Sequence, residues 1–146
     1  MASTGERRSA ELTLPAQATS PARARRFLSA TLAAWDLDGG DDALLVVSEL
    51  ATNALLHART GMTVRVAQLA DDTISVSVTD GGAAMPAPRR FSLDSGTGRG
   101  LRLLDTVGDA WGTDRLPGGG KVVWCRLRLG ADRAYAAFDV EGVEAL

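Results

Sequence analysis

Polar and apolar residues alternate from Glu11 to Leu14, placing Leu12 and Leu14 on one side of an extended chain, so the pattern predicts a short first strand. The preceding stretch, Met1 to Arg8, is small and polar and reads as a leader. Pro15 and Pro21 bracket a turn, and Pro21 suits the first turn of a helix. Ala24, Phe27, Leu28, Thr31, Leu32 and Trp35 then recur at helical spacing until Gly39 and Gly40 interrupt it, so this helix is expected to end near Trp35.

A second helix starts at a cap supplied by Asp41 or Asp42 and carries an apolar stripe of Ala43, Leu44, Val47, Leu50, Ala51, Ala54 and Leu55, reaching His57 or Ala58. Thr63 to Leu69 and Thr73 to Thr79 are β-branched and alternating, with Asp71 and Asp72 between them, which predicts a hairpin. From Gly81 to Gly100 periodicity disappears and glycines gather with Pro86 and Pro88, too long a connection for a compact domain unless it has a function of its own. A third helix is expected from Leu101 to Val107. Trp111 to Arg115 and Val122 to Leu129 form a last hairpin turned at Pro117 to Gly120. Helices and hairpins are segregated rather than alternating, so the expected fold is an α+β two-layer sandwich, a mixed or antiparallel sheet covered on one face by helices. The expected organisation is a leader over 1–8, one domain over 9–130 and a tail over 131–146 whose role the pattern does not define.

Length and composition narrow the function classes. A chain of 146 residues with 45% hydrophobic and 23% charged residues can bury one core without metals or disulfides. Few aromatics make that core aliphatic. The formal charge of -2 and pI of about 5.3 lack the basic footprint of phosphate-backbone binding, which argues against nucleic acid as a partner. Arg23, Arg25 and Arg26 cluster locally and read as the solvated face of the first helix. Cys125 has no partner for an internal disulfide and sits in an apolar run, as a buried structural cysteine would. With no signal-peptide core and no stretch long enough to span a bilayer, a cytoplasmic location without membrane association is expected.

Three features carry candidate chemistry. Glu49, Asn53 and His57 are spaced four apart along the second helix and project from one face. Such a row is ordinarily a solvated face, but Ser48 and Thr52 are the only other polar residues between Ala43 and Leu56, and half-buried polar groups need partners, among which a ligand is one candidate. Asp80-Gly81-Gly82 closes a strand and taken alone is a tight turn. Gly96-Thr97-Gly98-Arg99-Gly100-Leu101 alternates glycine immediately before a helix, where backbone N–H groups and the helix terminus can receive phosphate. The dinucleotide fingerprint is excluded: its third glycine position would be Leu101, and no βαβ unit surrounds it.

In this order the three features resemble the ATPase superfamily of gyrase, the heat-shock chaperone, sensor histidine kinases and mismatch-repair proteins (the Bergerat fold), and within it the anti-sigma-factor serine/threonine kinases. Glu49-Leu50-Ala51-Thr52-Asn53-Ala54-Leu55-Leu56-His57-Ala58 is similar to that family's asparagine box, and Gly98-Arg99-Gly100-Leu101 to its second glycine box. Trp111-Gly112 and Gly120-Lys121 before the terminal strand also fit, so the resemblance spans Leu12 to Leu129.

The resemblance implies ATP and Mg²⁺ as cofactors and a role for each matching residue. Asn53 would offer an amide oxygen to Mg²⁺, a hard cation that takes oxygen ligands. Glu49 would be the catalytic general base. Asp80 would accept a hydrogen bond from the adenine amino group, Gly82 would let the backbone approach the base, and Gly96, Gly98, Arg99, Gly100 and Leu101 would surround the phosphates. His57 would either support the phosphate region or cap the helix end. The implied partners are a sigma factor and an anti-sigma-factor antagonist, whose serine would be phosphorylated in a partner-switching system, and the implied assembly is a homodimer through the first strand and helix. Two positions depart from the superfamily pattern: Ala84 replaces a second glycine, and Val122 replaces a threonine whose hydroxyl is worth about 1 kcal/mol near the adenine. Those departures leave a second expectation, a nucleotide-binding regulatory module that sequesters partners without phosphoryl transfer.

Overall fold

The computed structural model describes residues 5–82 and 99–134. Strand β1 (Arg8–Leu14) is followed by helices α1 (Ser20–Ala34) and α2 (Asp41–Asn53), a π-helical turn (Ala54–Ala58), the hairpin β2 (Met62–Ala70) and β3 (Thr73–Asp80), helix α3 (Arg99–Val107), and the hairpin β4 (Gly108–Arg115) and β5 (Lys121–Arg128). The five strands form one sheet in the order β1-β2-β3-β5-β4. Every neighbouring pair is antiparallel. The expected α+β sandwich is therefore the observed one, with an antiparallel sheet.

Alternation decides which face of the sheet is covered. On β3, Ile74, Val76 and Val78 are buried, while Thr73, Ser75, Ser77 and Thr79 between them are half-buried. On β5 the buried row is Lys121, Val123, Cys125 and Leu127. Helix α1 adds Ala24, Leu28 and Leu32 and α2 adds Ala43, Val46, Val47, Leu50, Ala51 and Ala54 to the same core. Leu103, Leu104 and Val107 of α3 complete it. The buried hydrophobics of the described residues are aliphatic or sulfur-bearing, as the low aromatic content implies. Arg23, Arg25 and Arg26 lie exposed on α1.

Several boundaries differ from the sequence pattern for local reasons. Strand β1 begins at Arg8 rather than near Leu12, because Arg8 already pairs with Gln68 of β2. Arg7 donates its backbone N–H to Gln68 at 2.7 Å, and Glu6 holds Arg65 through two bonds of 2.6 and 2.8 Å, so polar residues expected in a leader are tied to the sheet edge. Helix α3 begins at Arg99, which draws Gly100 and Leu101 into its first turn.

Asp42 has a different task from the expected one. The residue at the start of α2 is Gly40, with no side-chain cap. The Asp42 carboxylate, 3% exposed, instead accepts the backbone N–H of Arg133 at 2.7 Å and of Ala134 at 3.1 Å. It thus caps the helical turn after β5 across the fold. Gly130 adds a bond of 2.8 Å to the carbonyl of Gly39, and Arg133 reaches the carbonyl of Val107 and the carboxylate of Asp109. No described helix is long and apolar enough to cross a membrane.

Replacing Asp42 by alanine strands one buried and one half-buried donor, so D42A is expected to lower stability by about 1.5–3 kcal/mol in urea unfolding. In hydrogen exchange the amides of Arg133 and Ala134 should lose protection first. Cys125 is fully buried. Burial pushes its thiol up to about 12, and the negative charge of Asp109 adds to the shift. The folded chain therefore keeps the thiol proton after the unfolded chain, titrating near 8.5, has released it. Stability from this group is complete below about pH 8.5 and is lost as pH rises toward 12. Iodoacetamide at pH 8 should leave Cys125 unmodified in the native chain and alkylate it in urea.

Candidate functional site

Helix α2 and the turn after it position the first group of polar residues. Asn53 is buried, 3% exposed, and is the last residue of α2. Glu49, one turn earlier, is half-buried. After Asn53 the backbone widens into the π-helical turn and ends at Arg59, whose left-handed φ of 59° closes it with an N–H bond of 3.3 Å to the Ala54 carbonyl. Glu49 and Asn53 share one stripe as the spacing predicts. His57 sits in the π turn, where each residue advances through a smaller angle, and so lies off the straight continuation of that stripe.

The π turn leads directly to the end of β3. Gly81 donates its N–H to the Thr60 hydroxyl at 3.0 Å. Gly82 lies against Ala58: a Cβ at position 82 would come within 3.2 Å of the Ala58 Cβ, so only glycine fits there without displacement. Gly82 also donates its N–H to Oδ1 of Asp80 at 3.0 Å. The second and first features of the sequence thus meet at one corner.

Asp80 is the buried acceptor of that corner, 4% exposed. Its Oδ2 accepts from the Nζ of Lys121 at 2.7 Å, a pair in which both side chains are 3% exposed. The two residues are directly opposed in the β3–β5 register. They occupy the last core-facing position of β3 and the first of β5, and breaking a pair this deep by removing one partner costs about 3–5 kcal/mol. Gly120 makes the approach possible. Its φ is +90°, and a Cβ there would stand 2.3 Å from the Asp80 carbonyl oxygen.

The sequence marks Lys121 only as half of the Gly120-Lys121 match and gives its side chain no role. The signal was present: in a strand with Val123, Cys125 and Leu127 at alternate positions, Lys121 falls on the core face, where a lone charge is not tolerated. The same alternation corrects the expectation for Val122. That residue is half-buried on the other face of β5, opposite Thr79 and Asp114, and a threonine hydroxyl there would not reach the Asp80 corner. Arg99, Gly100 and Leu101 form the first turn of α3, which packs against α2. Gly96, Gly98 and Ala84 lie outside the described residues.

The donor set suits a nucleotide with its cation. A buried carboxylate fixed as an acceptor fits an amino-bearing base, Gly82 keeps side-chain bulk away from that carboxylate, and the buried Asn53 amide offers the oxygen a hard cation takes. Among the described residues no group of three or more His, Cys, Asp or Glu could hold a metal ion. Mg²⁺ commonly takes one or two protein oxygens together with substrate phosphates, and here the Asn53 amide oxygen would be the protein's share.

Gly120→Ala should place a Cβ against the Asp80 carbonyl and lower stability by about 1–3 kcal/mol, read as a fall in Tm. Gly118→Ala, with nothing within 4 Å of its Cβ position, is the matched control and should leave Tm nearly unchanged.

A family model described as the histidine kinase-like ATPase domain matches residues 14–127, from the last residue of β1 to the penultimate residue of β5. No curated protein matches the chain. The match covers most of the sequence and includes α2, the Asp80 corner, α3 and the Lys121 strand. The chain belongs to the histidine kinase-like ATPase domain family, and the domain it carries is of the ATP-binding kind.

Proposed function

We propose that this chain is an anti-sigma factor with serine/threonine protein kinase activity, which binds Mg-ATP and phosphorylates a serine on an anti-sigma-factor antagonist. The observation that carries the reading is the junction of α2 with the end of β3, where Ala58 packs on Gly82 and the stripe of Glu49 and Asn53 runs into the corner held by Asp80. One site would therefore hold base, cation and acceptor in sequence. Asp80 would accept from the adenine amino group, Gly82 would let the backbone approach the base, and Asn53 would present its amide oxygen to Mg²⁺. His57, in the π-helical turn one turn further on, would support the phosphate region. Arg99, Gly100 and Leu101 begin α3, whose N-terminus favours the phosphate charge.

Phosphoryl transfer requires positioning, charge neutralisation and a base rather than elaborate covalent chemistry, which a domain of this size can supply. Bound Mg-ATP would supply the phosphoryl group and neutralise its developing charge. Glu49, half-buried and one helical turn from Asn53, accepts the proton released by the incoming serine hydroxyl as the new P–O bond forms and ADP leaves. The protein acts in the cytoplasm as a homodimer that binds its sigma factor when the antagonist is phosphorylated. The reading as a binder without transfer loses one of its two supports, since Val122 faces away from the corner.

Screening against the sigma factors and antagonists of the source organism, with labelled ATP, tests the proposal. With the cognate antagonist, Glu49→Ala should reduce transfer by about 10²- to 10⁴-fold while ATP affinity stays within a few-fold. Transfer at the wild-type rate removes Glu49 from the mechanism. ATP binding without transfer to any antagonist leaves a nucleotide-gated binder.

A further inference from the structure

We infer that Lys121 is a positioning residue for base selection, holding the Asp80 carboxylate as a fixed, charged acceptor at the corner where the adenine amino group would lie. This rests on the proposed placement of the base beside Asp80.

The geometry supplies the reason. Asp80 is 4% exposed, and a lone carboxylate this deep takes up a proton or turns toward water. Either change spoils recognition. A protonated carboxyl presents a donor as well as an acceptor, and a turned one presents nothing. The Lys121 ammonium at 2.7 Å removes both options by offsetting the charge and fixing Oδ2, while Gly82 fixes Oδ1 at 3.0 Å. Each carboxylate oxygen has a second lone pair, so these two bonds leave acceptor capacity for a ligand N–H. An acceptor-only group favours a base with an amino group over the same base without one, and a charged acceptor does so more strongly than a neutral one.

Strand geometry places the ammonium with little freedom. Lys121 is opposite Asp80 in the antiparallel register. The left-handed φ of +90° at Gly120 brings the start of β5 against the Asp80 backbone. The ammonium acts through the carboxylate and reads the base at one remove.

The test compares ATP with purine riboside triphosphate, which lacks the exocyclic amino group, by calorimetry on the full chain. The readout is the ratio of the two dissociation constants. In the wild type the ratio should favour ATP by at least about tenfold, the worth of a hydrogen bond to a charged group. Lys121→Met should collapse the ratio toward one, chiefly by weakening ATP. In the Asp80→Asn background, adding Lys121→Met should change the ratio no further. A purely structural lysine would weaken both nucleotides in parallel and leave the ratio intact, which would overturn the inference. An unchanged ratio in Asp80→Asn alone would overturn the placement of the base, and the inference with it. Normal loss in Asp80→Asn with none in Lys121→Met would overturn the inference only. Should Lys121→Met fail to fold, the ¹⁵N resonance of the Lys121 ammonium in the wild-type chain decides. Saturating ATP should move it, and a resonance that ATP leaves in place overturns the role.

Discussion

The pairing of β3 with β5 is the constraint on which the fold and its candidate site both depend. It joins the two hairpins into one sheet, and its register sets Ile74, Val76 and Val78 against Leu127, Cys125 and Val123 on the core side. A slip of one residue would turn every one of these side chains to the polar face, so burial fixes the register strongly. The last step of that register is the Asp80–Lys121 pair. The apolar row that stabilises the domain thus also delivers a buried carboxylate and a buried ammonium to the same corner, without a separate device.

Helix α2 has the complementary role. Its apolar side, from Ala43 to Ala54, is packed into the core, which leaves its rotation little freedom. Glu49 and Asn53 inherit that rigidity. The π-helical turn then absorbs the mismatch between the helix and the strand it must reach, bringing Ala58 to Gly82 and Thr60 to Gly81. A regular α-helical end would carry the chain through a different angle at that point. Rigid placement of polar groups by a packed element, followed by an irregular turn at the ligand corner, is how one short helix serves both core and site.

Elements with a strong period were legible in the sequence, and so were their types. The hairpin at Asp71 and Asp72, the end of the first helix near Trp35 and the aliphatic core all follow from local pattern and composition. What local pattern could not supply was partnership over distance. Asp42 looks like a cap because it stands at a helix start, yet its partners are the N–H groups of Arg133 and Ala134, far along the chain. The π turn is equally hidden, since Ala54 to Ala58 has the composition of any helix end. Of the candidate site, the residues of α2 and the Asp80 turn were visible as polar interruptions of apolar runs. Lys121 carried the same signal at the head of β5, but its meaning required knowing which strand lies opposite. For Val122 the local pattern did suffice, since the alternation from Lys121 to Leu127 already turns it to the other face of β5.

The Asp80–Lys121 pair also raises the question of why a charge pair stands at the end of a hydrophobic row. Stability does not account for it. Removing two charges from water costs several kcal/mol for each ion, and the attraction between them about offsets that, so a well-packed apolar pair in the same place is often more stable by about 1–4 kcal/mol. Val78 and Val123 show that apolar partners fit one step along the same ladder. The difference at the final step is position. Beyond it lie Gly81 and Gly82, the π turn and the helix that carries Asn53, a corner where an acceptor is useful and a methyl group is not. An acceptor fixed there must be charged to be selective and must be paired to stay buried, and one ammonium on the neighbouring strand meets both requirements.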